Sequence, residues 1–207
     1  MLQFINKHLK IAMGIALGLA CLLITSSLVY SRETVFLCLN HDLGKMADQF
    51  FVFFTLLAEG WMWIPYFILV FGWFKKDALF ILLNFLLSTI LTQIPKQLFL
   101  PNISRPIASN INPNDFHRVA GVEMHSWNSF PSGHTATAFT IYLVTVYLFP
   151  KNWVIIIGFL YATTCAYSRV YLGQHFPLDL GGGILVAIAS TLLSLYIRKN
   201  IKNEKAI

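Results

Sequence analysis

Charge is what this sequence has least of. Only 12% of its 207 residues are Asp, Glu, Lys or Arg, while 57% are apolar; an ordinary soluble domain has about 25% charged residues. The shortage excludes a typical soluble domain, which needs charge over its whole surface. The apolar excess is concentrated in blocks of about 18 to 25 residues, enough to cross a hydrocarbon core about 30 Å thick. Cysteine is also scarce. Cys21, Cys38 and Cys165 are odd in number and unclustered, which suits neither a disulfide framework nor a zinc site. Cys21 and Cys165 lie in apolar blocks and are expected to be buried, inert thiols. Internal repeats and low-complexity tracts are absent.

The net charge is +6, but the basic residues form no dense stripe, so no nucleic-acid partner is expected. Lys7 and Lys10 precede the first apolar block, Lys75 and Lys76 separate the second and third, and Arg198, Lys199, Lys202 and Lys205 follow the last. That spacing matches the cytoplasmic bias of Lys and Arg in membrane proteins. The pattern predicts an all-α, polytopic membrane protein, a single domain over 1–207. Its six expected spans lie near 9–30, 50–74, 77–95, 133–150, 153–172 and 179–197. The first block lacks a small-x-small cleavage site and is long for a secretory signal core, so it is expected to stay as a span. Trp61, Trp73 and Trp153 fall near span ends, where indoles favour the headgroup region.

With the N-terminus cytoplasmic, the connections 31–49, 96–132 and 173–178 lie outside. Lys96, Arg105 and Arg118 then sit outside, against the charge bias, and an anion site would explain them. Three polar clusters share that face: Lys96 with Arg105-Pro106; Pro131-Ser132-Gly133-His134; and Ser168-Arg169, followed after five residues by His175 and after three more by Asp179.

Each cluster suits phosphate. Arg offers a planar fork of donors and Lys a compact charge. Lys96, Arg105 and Arg169 together can neutralise a phosphate dianion and the charge developing in a five-coordinate transition state. Ser132 is placed to cap the fourth helix, whose N-terminal amides would face an anion, with Gly133 allowing close approach. Pro177 suits a first helical turn. Asp179 in that turn can reach back to His175, protonating one ring nitrogen and freeing the other to attack. His134 is left to protonate the leaving oxygen and then activate water. Competing readings exist. Lys96 can be an interfacial anchor, Ser168 can bond its own helix, and two His with an Asp can bind zinc, although the surrounding cations would repel a metal ion.

These residues resemble the type 2 phosphatidic acid phosphatase family, whose signatures are Lys-spacer-Arg-Pro, Pro-Ser-Gly-His and Ser-Arg-five residues-His-three residues-Asp. The second and third are matched at 131–134 and 168–179; in the first, the spacer between Lys96 and Arg105 is eight residues where the family pattern has six. The two extra residues are expected to bulge in the 99–104 turn. The resemblance implies a helical core shared with haloperoxidases. It also implies metal-independent, cofactor-free hydrolysis through a phosphohistidine on His175, with Asp179 supporting it and His134 as acid then base. Lys96, Arg105, Ser132, Gly133 and Arg169 would form the phosphate cradle. The vanadate-holding haloperoxidases of this fold are larger soluble proteins, and the spans here argue against that role.

The expected activity is that of a lipid phosphatase in the plasma (inner) membrane, with the active-site loop 96–132 facing the exterior or periplasm and the lipid tail left in the bilayer. Candidate substrates are undecaprenyl diphosphate, lipid A, phosphatidylglycerophosphate and phosphatidate, the first two suiting a small chain with short outer loops. The alternatives are a phosphotransferase of the same fold and a silent head-group binder. The latter needs only the cations, not the His134–His175–Asp179 set. His117, Arg118, Glu123 and His125 either set head-group selectivity or are loop surface.

Overall fold

The computed structural model describes residues 5–204, and among these no β-strand occurs. Eight α-helices follow one another: α1 (Lys7–Tyr30), α2 (Arg32–Leu39), α3 (Lys45–Leu56), α4 (Trp63–Phe71), α5 (Ala78–Ile94), α6 (Gly133–Leu148), α7 (Asn152–Tyr171) and α8 (Pro177–Glu204). Lys205, and the side chain of Lys202, lie outside the described part.

The first two helices start where the sequence supplies caps. The Asn6 side chain accepts from the Leu9 amide to open α1 (2.8 Å), and Ser31, at φ 69°, accepts from Thr34 to open α2. At about 1.5 Å per residue, the 24 residues of α1 reach across a bilayer core. Four segments are long and apolar enough to span: Lys7–Tyr30, Lys75–Phe99, Asn152–Tyr171 and Pro177–Ile201. The expected span over 50–74 is instead a broken pair, Lys45–Leu56 and Gly60–Phe71, bent by 59°, and would count as a fifth. The expected span over 133–150 is α6, only 16 residues long. Eleven of those residues are buried, because α5, α7 and α8 pack around it. Length matters less for a helix sheathed by others than for one facing lipid.

Both ends of the bundle are internally consistent. At one end Arg198 pairs with Asp77 and donates to the Tyr147 hydroxyl (3.1 Å), while Asn6 donates to the Tyr147 carbonyl (3.3 Å). The chain start, the 75–77 turn and the last turns of α8 therefore meet there. The connections that carry Lys96, Arg105, His134, His175 and Asp179 gather at the opposite end, as the charge pattern predicts. Of the thiols, only Cys165 is buried. Cys21 faces outward from α1, so its expected burial is corrected: an apolar block in a membrane protein has a lipid-facing side as well as a packed one.

The start of α8 is wedged between its neighbours. Ala12, Ala16 and Ala20 form a fully buried stripe on α1, the small-residue spacing that lets membrane helices approach closely. A Cβ on Gly181 would lie 3.2 Å from the Ala20 carbonyl oxygen, and one on Gly183 would lie 2.6 Å from the Ser132 carbonyl oxygen. The Ser132 amide in turn donates to the Asp179 carbonyl (2.9 Å). The glycines let α8 pack directly against the 131–134 turn, which fixes Asp179 beside it. Gly183→Ala is expected to destabilise by about 1–3 kcal/mol, as overpacking does. Gly14→Ala, with open space around its Cβ, should be neutral or stabilising by up to about 1 kcal/mol. Thermal unfolding in detergent distinguishes the two.

Candidate active site

The polar end of the bundle encloses a cavity of about 310 Å³ lined by Lys96, Arg105, His125, Gly133, His134, Arg169 and His175, with Ser88, Thr89, Thr92 and Gln93 of α5 along one wall. Residues 79 positions apart in sequence thus meet in one space. They arrive on α5 and the turn after it, the long loop, α6, α7 and the α7–α8 turn.

His175 sits in the turn between α7 and α8 and is 1% exposed. Its Nδ1 lies 3.2 Å from Asp179 Oδ2. The same carboxylate oxygen accepts from Ser129 Oγ (2.5 Å) and from the Phe176 amide (2.9 Å). An acceptor at Nδ1 makes that nitrogen the protonated one and leaves Nε2 with its lone pair, on the side of the ring that lines the cavity. Burial holds the His175 pKa well below the ordinary histidine value, and the charges of Arg105, Lys96 and Arg169 push it the same way. The imidazole is therefore neutral and nucleophilic over a wide range of pH. Asp179 stands behind it, fully buried, with Oδ1 making no hydrogen bond among the described residues.

The three cations are held differently. Arg105 serves the loop as well as the cavity: Nε donates to the Trp127 carbonyl (2.9 Å), and Nη1 to the Gln174 carbonyl and side-chain oxygen (both 3.3 Å). Burial lowers its pKa, with Asp179 acting against the shift. Arg169, on the last turn of α7, donates through Nη1 to Thr55 Oγ1 (2.5 Å), while its buried Nε has no partner. Lys96 is 8% exposed, and its ammonium has no hydrogen-bond partner among the described residues. Unpaired donors on two cations around one cavity suit an anion, whose oxygens accept from such groups. The eight-residue spacer is partly taken up by a π-helical turn, Pro95–Phe99, that contains Lys96 itself, since a π turn holds more residues than an α turn. The rest loops out through 100–104.

His134 is the second residue of α6, and its buried Nε2 has no hydrogen-bond partner among the described residues. Ser132 caps this helix as expected. Its hydroxyl accepts from the Thr135 amide (3.4 Å) and from Thr135 Oγ1 (3.0 Å), so the side chain is committed to the helix and does not line the cavity. Gly133 does. Ser168 takes the helix reading: its hydroxyl donates to the Cys165 carbonyl (2.7 Å).

Of the four loop residues left open by the sequence, His125 lines the cavity. Glu123 is exposed, with its carboxylate 3.9 Å from His125. His117 and Arg118 lie in a separate, wider depression of about 740 Å³ with Asn40 and Asp42, where His117 bonds Asp48 (2.9 Å). The sequence reading missed Ser129, Thr55, Gln174 and Glu59. All four act across long sequence separations on residues it did identify. Only Glu59 carried a signal, as the single charge inside the 51–74 apolar run.

Known proteins are similar to this chain in sequence and fold. The chain is 27% identical to the undecaprenyl-diphosphatase of Sulfolobus acidocaldarius over 165 residues, covering 79% of this chain and 76% of that one. It is 30% identical to a lipid A 4'-phosphatase of Porphyromonas gingivalis, covering 76% and 68%. The crystal structure of LpxE from Aquifex aeolicus superposes with a TM-score of 0.68 at 34% identity, covering 79% of this chain and 93% of that one. A transmembrane PAP2-type phosphatidylglycerolphosphate phosphatase from Bacillus subtilis shares the fold at 22% identity (TM-score 0.65, 95% and 98% covered). The profile of the PAP2 superfamily matches residues 77–203, the stretch that supplies every cavity residue from Ser88 to His175, and the chain belongs to that superfamily.

Proposed function

We propose that this PAP2 phosphatase removes a terminal phosphate from a membrane lipid through a phosphohistidine on His175, at the non-cytoplasmic face of the plasma membrane. The observation that carries the reading is the His175 ring itself: Nδ1 is fixed by Asp179 (3.2 Å), and the ring lines a cavity shared with three cations.

In the first step Nε2 of His175 attacks phosphorus while the bond from phosphorus to the lipid oxygen breaks. His134 gives its proton to the departing oxygen. Lys96, Arg105, Arg169 and the first amides of α6 carry the charge on the equatorial oxygens. In the second step His134, now neutral, takes a proton from water. The hydroxide attacks the phosphohistidine, releases inorganic phosphate and returns His175 with Nε2 unprotonated. Asp179 keeps the Nδ1 proton in place throughout and stabilises the ring while it carries the phosphoryl group. Three cations around the cavity disfavour a divalent ion, so the reaction needs no metal.

The cavity lies at one end of a bundle whose outer helices are apolar, a position suited to a head group on a lipid whose tail stays in the bilayer. The names of the Sulfolobus and Porphyromonas relatives support an undecaprenyl diphosphate or a lipid A phosphate as substrate. Lys7, Lys10, Lys75, Lys76, Arg198 and Lys199 flank the spans on the side away from the cavity connections, and this cytoplasmic bias of Lys and Arg supports the outward orientation.

His175→Ala should lower phosphate release from a lipid phosphate or diphosphate panel by roughly 10³-fold or more, and chelator should leave the wild-type rate unchanged. With 32P-labelled 4-nitrophenyl phosphate, whose phenolate leaves without a proton, His134→Ala should accumulate an acid-labile, base-stable labelled protein, because only the second step then lacks its base. Label passing to an added alcohol rather than to water would favour the transferase. Because the His175 pKa is depressed, its neutral form persists below the ordinary histidine value. The acidic limb of kcat/KM should therefore fall below about pH 6.5; a limb at or above that value would contradict a neutral His175 nucleophile.

A further inference from the structure

The apolar run over 51–74 holds one charged residue, Glu59, and the chain breaks there. The flanking helices meet at 59°, and Ala58 and Gly60 on either side both line the cavity. Irregular backbone at membrane depth is tolerated where it lines a cavity, and an ionisable residue at that depth is functional by default. Trp61 Nε1 donates to Glu59 Oε2 (3.1 Å), which leaves Oε1 pointing at His134, 3.9 Å from Nε2. That nitrogen has no hydrogen-bond partner among the described residues. Every other charged or titratable group lining the cavity is a cation or a histidine: Lys96 from the π turn after α5, Arg105 and His125 from the 96–132 loop, Arg169 from α7 and His175 from the α7–α8 turn.

We propose that Glu59 is the positioning residue for the acid, its carboxylate supplying the counter-charge that keeps a proton on His134 Nε2 amid this cationic lining. This deepens the functional reading and rests on His134 acting as the acid. The separation of 3.9 Å suits the role. A direct bond would spend the Nε2 proton on Glu59 rather than on the leaving oxygen, whereas a charge about 4 Å away favours the imidazolium and leaves its N–H free. Glu59 also acts electrostatically on Arg169. A mere counter-ion for that arginine would affect every phosphate ester alike, and this difference makes the roles separable.

The test uses the full chain in detergent and two substrates. Dodecyl phosphate leaves as an alkoxide and needs a proton; 4-nitrophenyl phosphate leaves as a stabilised phenolate and does not. Glu59→Gln is expected to lower kcat/KM for the alkyl ester about tenfold, and for the aryl ester by less than about threefold. The alkaline limb of kcat/KM for dodecyl phosphate should move down by about one pH unit, and Glu59→Asp should restore part of both effects. The ratio of the two activities does not depend on how much of a variant is folded. Equal losses on both esters, or an alkaline limb that stays in place, would overturn the proposal. His134→Ala run alongside separates the two layers of the argument. If it is selective for the alkyl ester and Glu59→Gln is not, only the role of Glu59 falls. If His134→Ala is itself unselective, the acid assignment falls with it.

Discussion

Lys96, Arg105 and Arg169 are gathered around one cavity at the membrane end of an otherwise apolar bundle, and the rest of the structure answers to that repulsion. Like charges in a medium of low dielectric constant repel far more than they would in water. The two guanidinium groups are therefore held in place by partners that do not cancel their charge. Thr55 holds Arg169, and the Trp127 and Gln174 oxygens hold Arg105. None of these partners is anionic. Neutral acceptors fix the guanidinium groups without neutralising them, and a phosphate dianion, the ligand proposed here, would relieve the repulsion the protein has assembled. A carboxylate paired directly with each cation would make a more stable apoprotein and a poorer anion site.

The one carboxylate at the centre of the site, Asp179, is kept off the cavity wall. It stands behind His175, where Ser129, the Phe176 amide and the imidazole take up Oδ2. Its charge is thus directed through the ring instead of toward the incoming phosphate. The glycines at the start of α8 make this placement possible, because a side chain at Gly183 would meet the Ser132 carbonyl oxygen and push the two segments apart. Helix packing and site electrostatics depend on the same few ångströms of backbone.

This geometry also explains what was legible in the sequence. His175 and Asp179 belong to one helical turn, and Ser132, Gly133 and His134 to one helix start, so their spacing in the chain is their spacing in space. Lys96 and Arg105 were recognisable as charges standing against the topological bias, even with the longer spacer. The break at Glu59 was hidden because residues 50–74 are as apolar as a continuous span, and composition says nothing of where a helix bends. Ser129, Thr55 and Gln174 were invisible for a different reason. A buried Ser, Thr or Gln is unremarkable in sequence and acquires its role from a partner 50, 114 or 69 positions away. Cys21 was misjudged because a hydropathy block does not reveal which side of a helix meets lipid.

Two histidines of the same intrinsic chemistry end in one cavity in different surroundings, and those surroundings suit the different duties proposed for them. His175 has one nitrogen bound to a carboxylate and is nearly sealed from solvent, so its tautomer and orientation are fixed, as the proposed nucleophile requires. His134 has no direct hydrogen bond at Nε2 among the described residues, so that nitrogen can lose a proton to one species and take one from another without breaking a protein contact. Environment, not residue type, separates a nucleophile from an acid–base group. The backbone bond from Ser132 to the Asp179 carbonyl (2.9 Å) ties the turn that carries His134 to the helix that fixes His175. The segments that carry the two rings are therefore tied by main chain, and the proposed two-step transfer would need that constancy because both of its steps use the same pair on the same phosphorus.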